Sequence, residues 1–428
     1  ADRKRGEKTK KAGRLAAVLA VVLLALPFLA LPTLQETVPV DLSPVQPAAE
    51  SIVVSAQPVS LPAAPTNHIA GNEDKLDAAL DEICQQYGVK ACSVAAFEGE
   101  QIVYTHSYGK ARGDTPADEN TKYRVASISK AVTAMLAMHL VDEGKLSLDM
   151  DIADIHPDLQ NPYYPDSTTT LEMLLTHTSG IVDGAGYNWA ISQSVFPSLD
   201  QVLQYSNFSG SAPGEQYAYT NFGMGLVSAA IEYATGQPFR SYAQQVLFEP
   251  LGLDAGFLTD DIDDPQTIAV LGSVDPLDWG KMEKAYARIP VGQMYLLGQG
   301  ELYISAKDLA RIAMILAGDG SFLPAGSDTR QTFLSAETLE EMHTPKVYDE
   351  ATNTTRGLAL QMTDEIVGGV TLWGHQGNAY GVISCLFYDR ESHKGLAFLT
   401  SSASQMRAEN KIYAVNDAAV RAVWEYLQ

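Results

Sequence analysis

Ser127 and Lys130 stand three residues apart in VASISKAVTAMLAMHLVDEG, residues 125–144, and a serine beside a lysine can carry out acyl transfer. A serine hydroxyl is a poor nucleophile until a neighbour accepts its proton, and a lysine accepts it only when burial or adjacent positive charge lowers its pKa. On a helix the two positions share a face, and Val132, Met135, Leu136 and Leu140 supply an apolar stripe to bury behind them. A lone Ser-x-x-Lys arises roughly once or twice by chance in a chain this long, so its weight depends on companions. Two follow in order: Tyr219-Thr220-Asn221, and His375-Gln376-Gly377 continued by Asn378.

Periodicity indicates the elements that must hold these residues. Leu76, Leu80 and Ile83 recur at helical spacing, and the runs Ala91–Phe97 and Gln101–Tyr108 around Glu98-Gly99-Glu100 read as a hairpin. The Ser127 helix follows and stops near Gly144. Residues 150–290 read mostly as short helices and loops. The clearest helix there is Asn221–Thr235, ended by Gly236 with Pro238 beyond it. The acidic cluster at 260–264 lacks the glycine and terminal glutamate of a calcium loop and reads as a solvated turn. Leu302–Leu316 gives a helix opened by Ser305. Val370–Trp373, Val382–Tyr388 and Leu396–Ser401 are strand-like, with His375 on a loop before the strands, and Ala408–Leu427 closes the chain as an amphipathic helix. The expected fold class is α/β (α+β): an antiparallel sheet built from both ends of the chain, flanked by helices, with a mostly helical lobe inserted at about 150–290.

With Ser-x-x-Lys, Tyr-x-Asn and His-x-Gly in this order, the sequence resembles the serine beta-lactamase and penicillin-binding protein superfamily. It is most similar to the branch of class C beta-lactamases, D-alanyl-D-alanine carboxypeptidases, D-aminopeptidases and related esterases. The resemblance runs from about Asn72 to the C-terminus and includes Leu174-Leu-Thr-His-Thr-Ser-Gly180, Phe248-Glu-Pro-Leu-Gly252, the run from Gly300 to Ala310, and Gly374–Gly381. It implies the beta-lactamase/transpeptidase-like fold, with Ser127 as nucleophile, Lys130 as base and Tyr219 in a proton relay with Lys130. Tyr205-Ser206-Asn207 also fits Tyr-x-Asn, but the copy at 219 follows Pro213-Gly214 at the family's spacing. The resemblance further implies an oxyanion hole from the backbone N–H groups of Ser127 and Asn378. Asn221 would hold the substrate's amide, and His375, with Gly377 beside it, would line the leaving side where other members carry a lysine. His177 is read as a structural hydrogen-bonding residue. The implied activity is that of a serine hydrolase acting on amide or ester bonds in D-amino-acid peptides such as peptidoglycan stems. Since His375 lacks a lysine's permanent charge, a carboxypeptidase, peptidase or esterase is preferred over a beta-lactamase. The rival from another class is a non-catalytic penicillin-binding sensor.

Composition narrows the partners. At 428 residues and 46% hydrophobic content the chain can bury a sizeable core, and a formal charge of −23 repels phosphate backbones, which argues against nucleic acid. Cys84, Cys92 and Cys385 fit neither a disulfide framework nor a zinc spacing, so buried free thiols are expected over a Cys84–Cys92 bridge. The eight histidines show no ligand spacing, and no metal or other cofactor is expected. The first 14 residues are rich in Lys and Arg, and Leu15–Leu31 is an uncharged apolar run. Residues 1–31 therefore read as a basic end and a membrane anchor, with a cleaved signal and secretion as the alternative. Residues 32–70 contain Pro32, Pro39, Pro44, Pro47, Pro58, Pro62 and Pro65 and read as an extended linker. On this reading the hydrolase domain, residues 71–428, works outside the cell membrane on a small-molecule or peptide substrate.

Overall fold

The computed structural model describes residues 73–193, 197–272, 274–278, 291–293 and 295–428. The expected anchor at 1–31 and linker at 32–70 lie outside them. Among the described residues no helix is long and apolar enough to cross a membrane.

The first helix, α1 (Glu73–Gln86), buries Leu76, Leu80 and Cys84, one residue per turn. It leads into β1 (Ala91–Glu98) and β2 (Gln101–Arg112), which form an antiparallel hairpin, and β3 (Thr115–Pro116) extends the edge. The rest of the sheet comes from the far end of the chain: β4 (Val347–Asp349), β5 (Thr354–Arg356), β6 (Gln361–Thr363), β7 (Leu372–Ala379), β8 (Val382–Asp389) and β9 (Lys394–Thr400). The nine strands lie in the order β3-β2-β1-β9-β8-β7-β6-β5-β4, every pair antiparallel. The join between the two ends is the β1–β9 pair, with Cys92 opposite Thr400 and Phe97 opposite Gly395.

Both faces of the central strands are apolar because both are covered. Val94, Ala96, Phe387 and Phe398 pack under α1 and the terminal helix α5 (Ala414–Leu427). Ala95, Phe97, Leu386 and Ala397, one residue out of phase, face the larger core. That core holds the buried helices α2 (Ser129–Asp142), α3 (Asn221–Thr235) and α4 (Ala306–Ala317). The period of two therefore sends alternate side chains into two different cores. Cys84 and Cys92 are free, buried thiols with sulfurs 3.3 Å apart, and Cys385 is also free and buried.

Several expectations change. The Ser127 helix is not one α-helix: Ala126–Ile128 is a 3₁₀ turn and α2 begins at Ser129. Ala126 has φ of +51°, a left-handed conformation that breaks the helical path before the serine. Nor is α2 amphipathic, since every residue from Ser129 to Met138 is buried, as in a helix at the centre of its domain. The strand expected at Val370–Trp373 runs instead through Ala379, so His375 lies within β7 and not on a loop. Its polar, glycine-containing composition reads as a turn, but pairing with β8 carries the strand through it, with His375 opposite Leu386 and Gly377 opposite Ser384. In the 260–264 cluster, Asp261 is not solvated: its carboxylate pairs with Arg240 and accepts from the Phe257 and Leu258 N–H groups.

Candidate active site

Ser127 is delivered by a short strand and held by the turn after it. Tyr123–Arg124 pairs with Tyr303–Ile304, and the Val125 N–H donates to Leu302 O at 2.9 Å. Val125 and Ile128 are buried on either side of the turn, while Ser127 between them is partly open to solvent. Ser129 Oγ donates to Ala126 O at 2.6 Å and closes the turn against α2.

Lys130, in the first turn of α2, is fully buried. Its ammonium donates to Ser127 Oγ at 3.0 Å, to Asn221 Oδ1 at 2.9 Å and to the Gln299 carbonyl at 2.6 Å. Those three acceptors match the three N–H bonds of an ammonium and offset the cost of burying it. Tyr219, 40% exposed, places its hydroxyl 2.8 Å from Ser127 Oγ. The tyrosine ring lies 5.1 Å from Lys130 Nζ and 5.7 Å from the Arg356 guanidinium carbon, with its centroid 4.5 Å from that of the His177 ring. The other Tyr-x-Asn is elsewhere: Tyr205 is 60% exposed and packs edge-on against Tyr163.

Asn221 is the first residue of α3. Thr220 caps the helix by accepting from the Gly223 N–H, and Gly236 ends it in the left-handed conformation at φ +65°. Asp183 supports the same end: it accepts from Thr220 Oγ1 at 2.8 Å, Asn221 Nδ2 at 3.0 Å and the Phe222 N–H at 2.8 Å. A carboxylate is favoured there because the N-terminus of a helix carries free N–H groups and partial positive charge.

The third motif approaches along β7. Its pairing with β6 ends at Gly374, so the stretch from His375 to Ala379 has no β6 neighbour and runs beside the Ser127 turn. Gly377 permits this approach, because a Cβ there would lie 2.2 Å from Val125 O and 3.5 Å from Ala126 Cβ. The Gln376 N–H points away from β8, to Gln361 Oε1 at 3.0 Å. Alternation along a strand then turns the Asn378 N–H to the same open edge, towards the serine turn. Asn378 also donates its side-chain amide to Tyr413 OH at 2.6 Å.

His375 is buried and neutral. Burial, followed by the Arg356 and Lys130 charges, holds its pKa well below the usual imidazole range. Its Nδ1 lies 2.6 Å from Gln376 O, which makes Nδ1 the protonated nitrogen and leaves Nε2 to accept from Arg356 at 3.4 Å. The same causes, burial first and then Arg356 and Lys130, keep His177 neutral. Its Nδ1 accepts from the Thr220 N–H at 3.4 Å, and among the described residues its Nε2 has no hydrogen-bond partner.

These groups meet in a cavity of about 850 Å³ whose walls include Ser127, Tyr219, His375 and Asn378. Its lining also includes Tyr217, the 348–352 turn, Arg356, Gln361, Gln376, Arg407 and Tyr413. Arg356 and Asp349 form a buried ion pair at 2.6 Å, and Tyr217 donates to the same carboxylate at 3.0 Å. Sequence reasoning missed Asp183, Arg356, Asp349 and Gln299. Asp183 follows Thr-Ser-Gly closely enough to be noticed, but nothing in the sequence links it to residue 221. The lining carries the Arg356 and Arg407 cations, the Asp349 and Glu350 carboxylates and the hydroxyls of Ser127, Tyr217, Tyr219 and Tyr413. Away from it, His156, Asp158 and Asp200 bring possible ligand atoms within 4.8 Å of one another. There both imidazole nitrogens are already engaged, by Asp200 and by the Asp158 N–H.

Known proteins are similar to this chain. Esterase EstB from Burkholderia gladioli is 28% identical over 282 residues, 58% of this chain and 71% of the esterase. The D-alanyl-D-alanine-carboxypeptidase/endopeptidase AmpH from Escherichia coli is 27% identical over 48% of this chain and 53% of its own length. Among solved structures, the octameric penicillin-binding protein homologue from Pyrococcus abyssi superposes with a TM-score of 0.64 at 23% identity, covering 82% of this chain and 77% of that one. The D-amino acid amidase from Ochrobactrum anthropi gives 0.64 at 20% identity, covering 83% and 99%. At such identities these two establish the fold, a beta-lactamase/transpeptidase-like arrangement of an antiparallel sheet and helices. The sequence profile of the Beta-lactamase family matches residues 76–420, and the chain belongs to that family of beta-lactamase/transpeptidase-like serine hydrolases.

Proposed function

We propose that this hydrolase forms an acyl-enzyme on Ser127 with amide or ester bonds of D-amino-acid peptides, peptidoglycan stem peptides among them. The observation that carries the reading is the convergence of Lys130 Nζ and Tyr219 OH on Ser127 Oγ, at 3.0 and 2.8 Å, beside a cavity large enough for a short peptide. In the proposed reaction the Lys130–Tyr219 pair reacts after giving up one proton to solvent, and Ser127 Oγ attacks the carbonyl carbon as its own proton passes to that pair. The backbone N–H groups of Ser127 and Asn378 receive the developing oxyanion. Collapse breaks the carbonyl bond to the leaving group, which takes its proton from Tyr219. Water then attacks the ester carbonyl, releases the acid and returns the proton to Ser127. Asn221 retains one amide N–H for a substrate carbonyl, and His375 lines the leaving side.

The names of the relatives support this substrate class, and neutral His375 in place of a lysine favours peptides and esters over beta-lactams. The basic residues near the N-terminus and the apolar run Leu15–Leu31 support action outside the cell membrane, by anchoring or after export. Intact-protein mass spectrometry after exposure to a fluorophosphonate tests the nucleophile: one adduct is expected, and Ser127→Ala should abolish it. Labelling that survives the substitution refutes the assignment. A panel of D-Ala-D-Ala peptides, D-amino-acid amides, short-chain esters and a chromogenic cephalosporin tests the substrate class, and fastest turnover of the cephalosporin would replace this reading with a beta-lactamase.

A further inference from the structure

The general base of a nucleophilic site is commonly oriented by a third group. Among the described residues Lys130 has no acidic partner of its own: its three acceptors are a hydroxyl, a side-chain amide oxygen and a backbone carbonyl. The amide belongs to Asn221, whose other end donates to the Asp183 carboxylate at 3.0 Å. The chain of contacts runs Asp183, Asn221, Lys130, Ser127. The charges at its two ends permit only one orientation of the central amide. A flipped Asn221 would set its oxygen against the carboxylate and its N–H bonds against the ammonium, two repulsive contacts in place of two hydrogen bonds.

Resting on the assignment of Ser127 and Lys130 above, we propose that Asp183 is a positioning residue for catalysis, fixing the Asn221 amide so that Oδ1 is always presented to Lys130. The carboxylate is itself well fixed, because its Oδ1 accepts from Thr220 Oγ1 and the Phe222 N–H while Oδ2 takes Asn221. It also ties the loop after Thr-Ser-Gly180 to the first turn of α3, so two segments far apart in sequence share one contact. Asp183 touches neither the nucleophile nor the reacting carbonyl, and its effect on the rate passes through the amide.

Fluorophosphonate labelling isolates this effect, because the reagent has no acylamino group for Asn221 to hold and its rate reports the serine and its base alone. Asp183→Asn keeps the shape and, through its own Oδ1, the helix cap, but it removes the charge that forbids the flipped amide. The maximal labelling rate is expected to fall at least tenfold, with the half-saturating reagent concentration changed less than about threefold and the melting temperature within a few degrees. Ser335→Ala, which removes the cap hydroxyl of the helix Ala336–Met342 and touches neither Asp183 nor Asn221, should do the opposite: the melting temperature falls by several degrees while labelling slows less than about threefold. Wild-type labelling by Asp183→Asn overturns the proposal, as does a loss of rate in both variants that tracks their loss of stability. Ser127→Ala runs beside them: if it still labels, the nucleophile assignment has failed, whereas if it is silent and Asp183→Asn is fast, only the role of Asp183 has failed.

Discussion

The serine, lysine and tyrosine hold each other through short contacts, so the function of each depends on its place. Tyr219 and Tyr205 sit in the same local pattern, yet one hydroxyl is 2.8 Å from Ser127 Oγ and the other side chain packs on a surface tyrosine. Tyr219→Phe should slow acylation by about 10²–10⁴-fold, the range of a positioned proton-transfer group, while Tyr205→Phe stays within about twofold. Stopped-flow measurement with a chromogenic ester checks this, and the reverse ranking would move the relay to the wrong motif. His375 makes a related point. Its sequence position suggested a polar group facing substrate, but burial, followed by the charges of Arg356 and Lys130, keeps its imidazole uncharged.

At the level of elements, the site is a meeting of three ends: the turn before α2, the N-terminus of α3 and the end of β7 that extends beyond its β6 partner. The spacing between the first and third depends on residue 377 having no side chain. Gly377→Ala would place a methyl group 2.2 Å from Val125 O, and the strand or the turn must give way. The expected cost is about 1–3 kcal/mol, as for other overpacked positions, with acylation reduced more than tenfold because the Asn378 N–H moves with the strand. Denaturant titration and labelling rates on the same sample check both parts. A stable, fully active Gly377→Ala would mean that β7 does not set the geometry.

The whole molecule carries an acid sensitivity built from buried imidazoles. His343, whose Nε2 meets Tyr388 OH at 2.8 Å and whose Nδ1 lies 2.7 Å from Leu339 O, has its pKa pushed down to about 3, chiefly by burial. His177 and His375 are shifted in the same direction. The folded pKa lies below the unfolded value of about 6.5, so between the two the unfolded chain binds more protons and stability rises with pH. The contribution is fully present above about pH 6.5 and is lost as pH falls towards the folded pKa. For His343 alone the loss at pH 5 is about 2 kcal/mol. Denaturation midpoints between pH 7 and 5 should therefore fall, and less steeply in His343→Gln. An unchanged slope would show that His343 is not a titrating group of the unfolding reaction.

The sequence by itself determined the fold class and the order of the three motifs, because both reside in local signals. Apolar periodicity marks α1, β1, α3 and α4, and the motif residues are close in sequence within each motif. It also separated Tyr219 from Tyr205 by the Pro-Gly that precedes the former. Only the tertiary structure decided what holds the motifs. Asp183 and Asn221 are 38 residues apart and Arg356 and His375 are 19 apart, and no periodicity relates such pairs. The break at Ala126 and the continuation of β7 through His375 were equally hidden: in both, contacts with distant chain override local preference, the Leu302 carbonyl and Val125 N–H at the serine turn and the β8 ladder at the histidine.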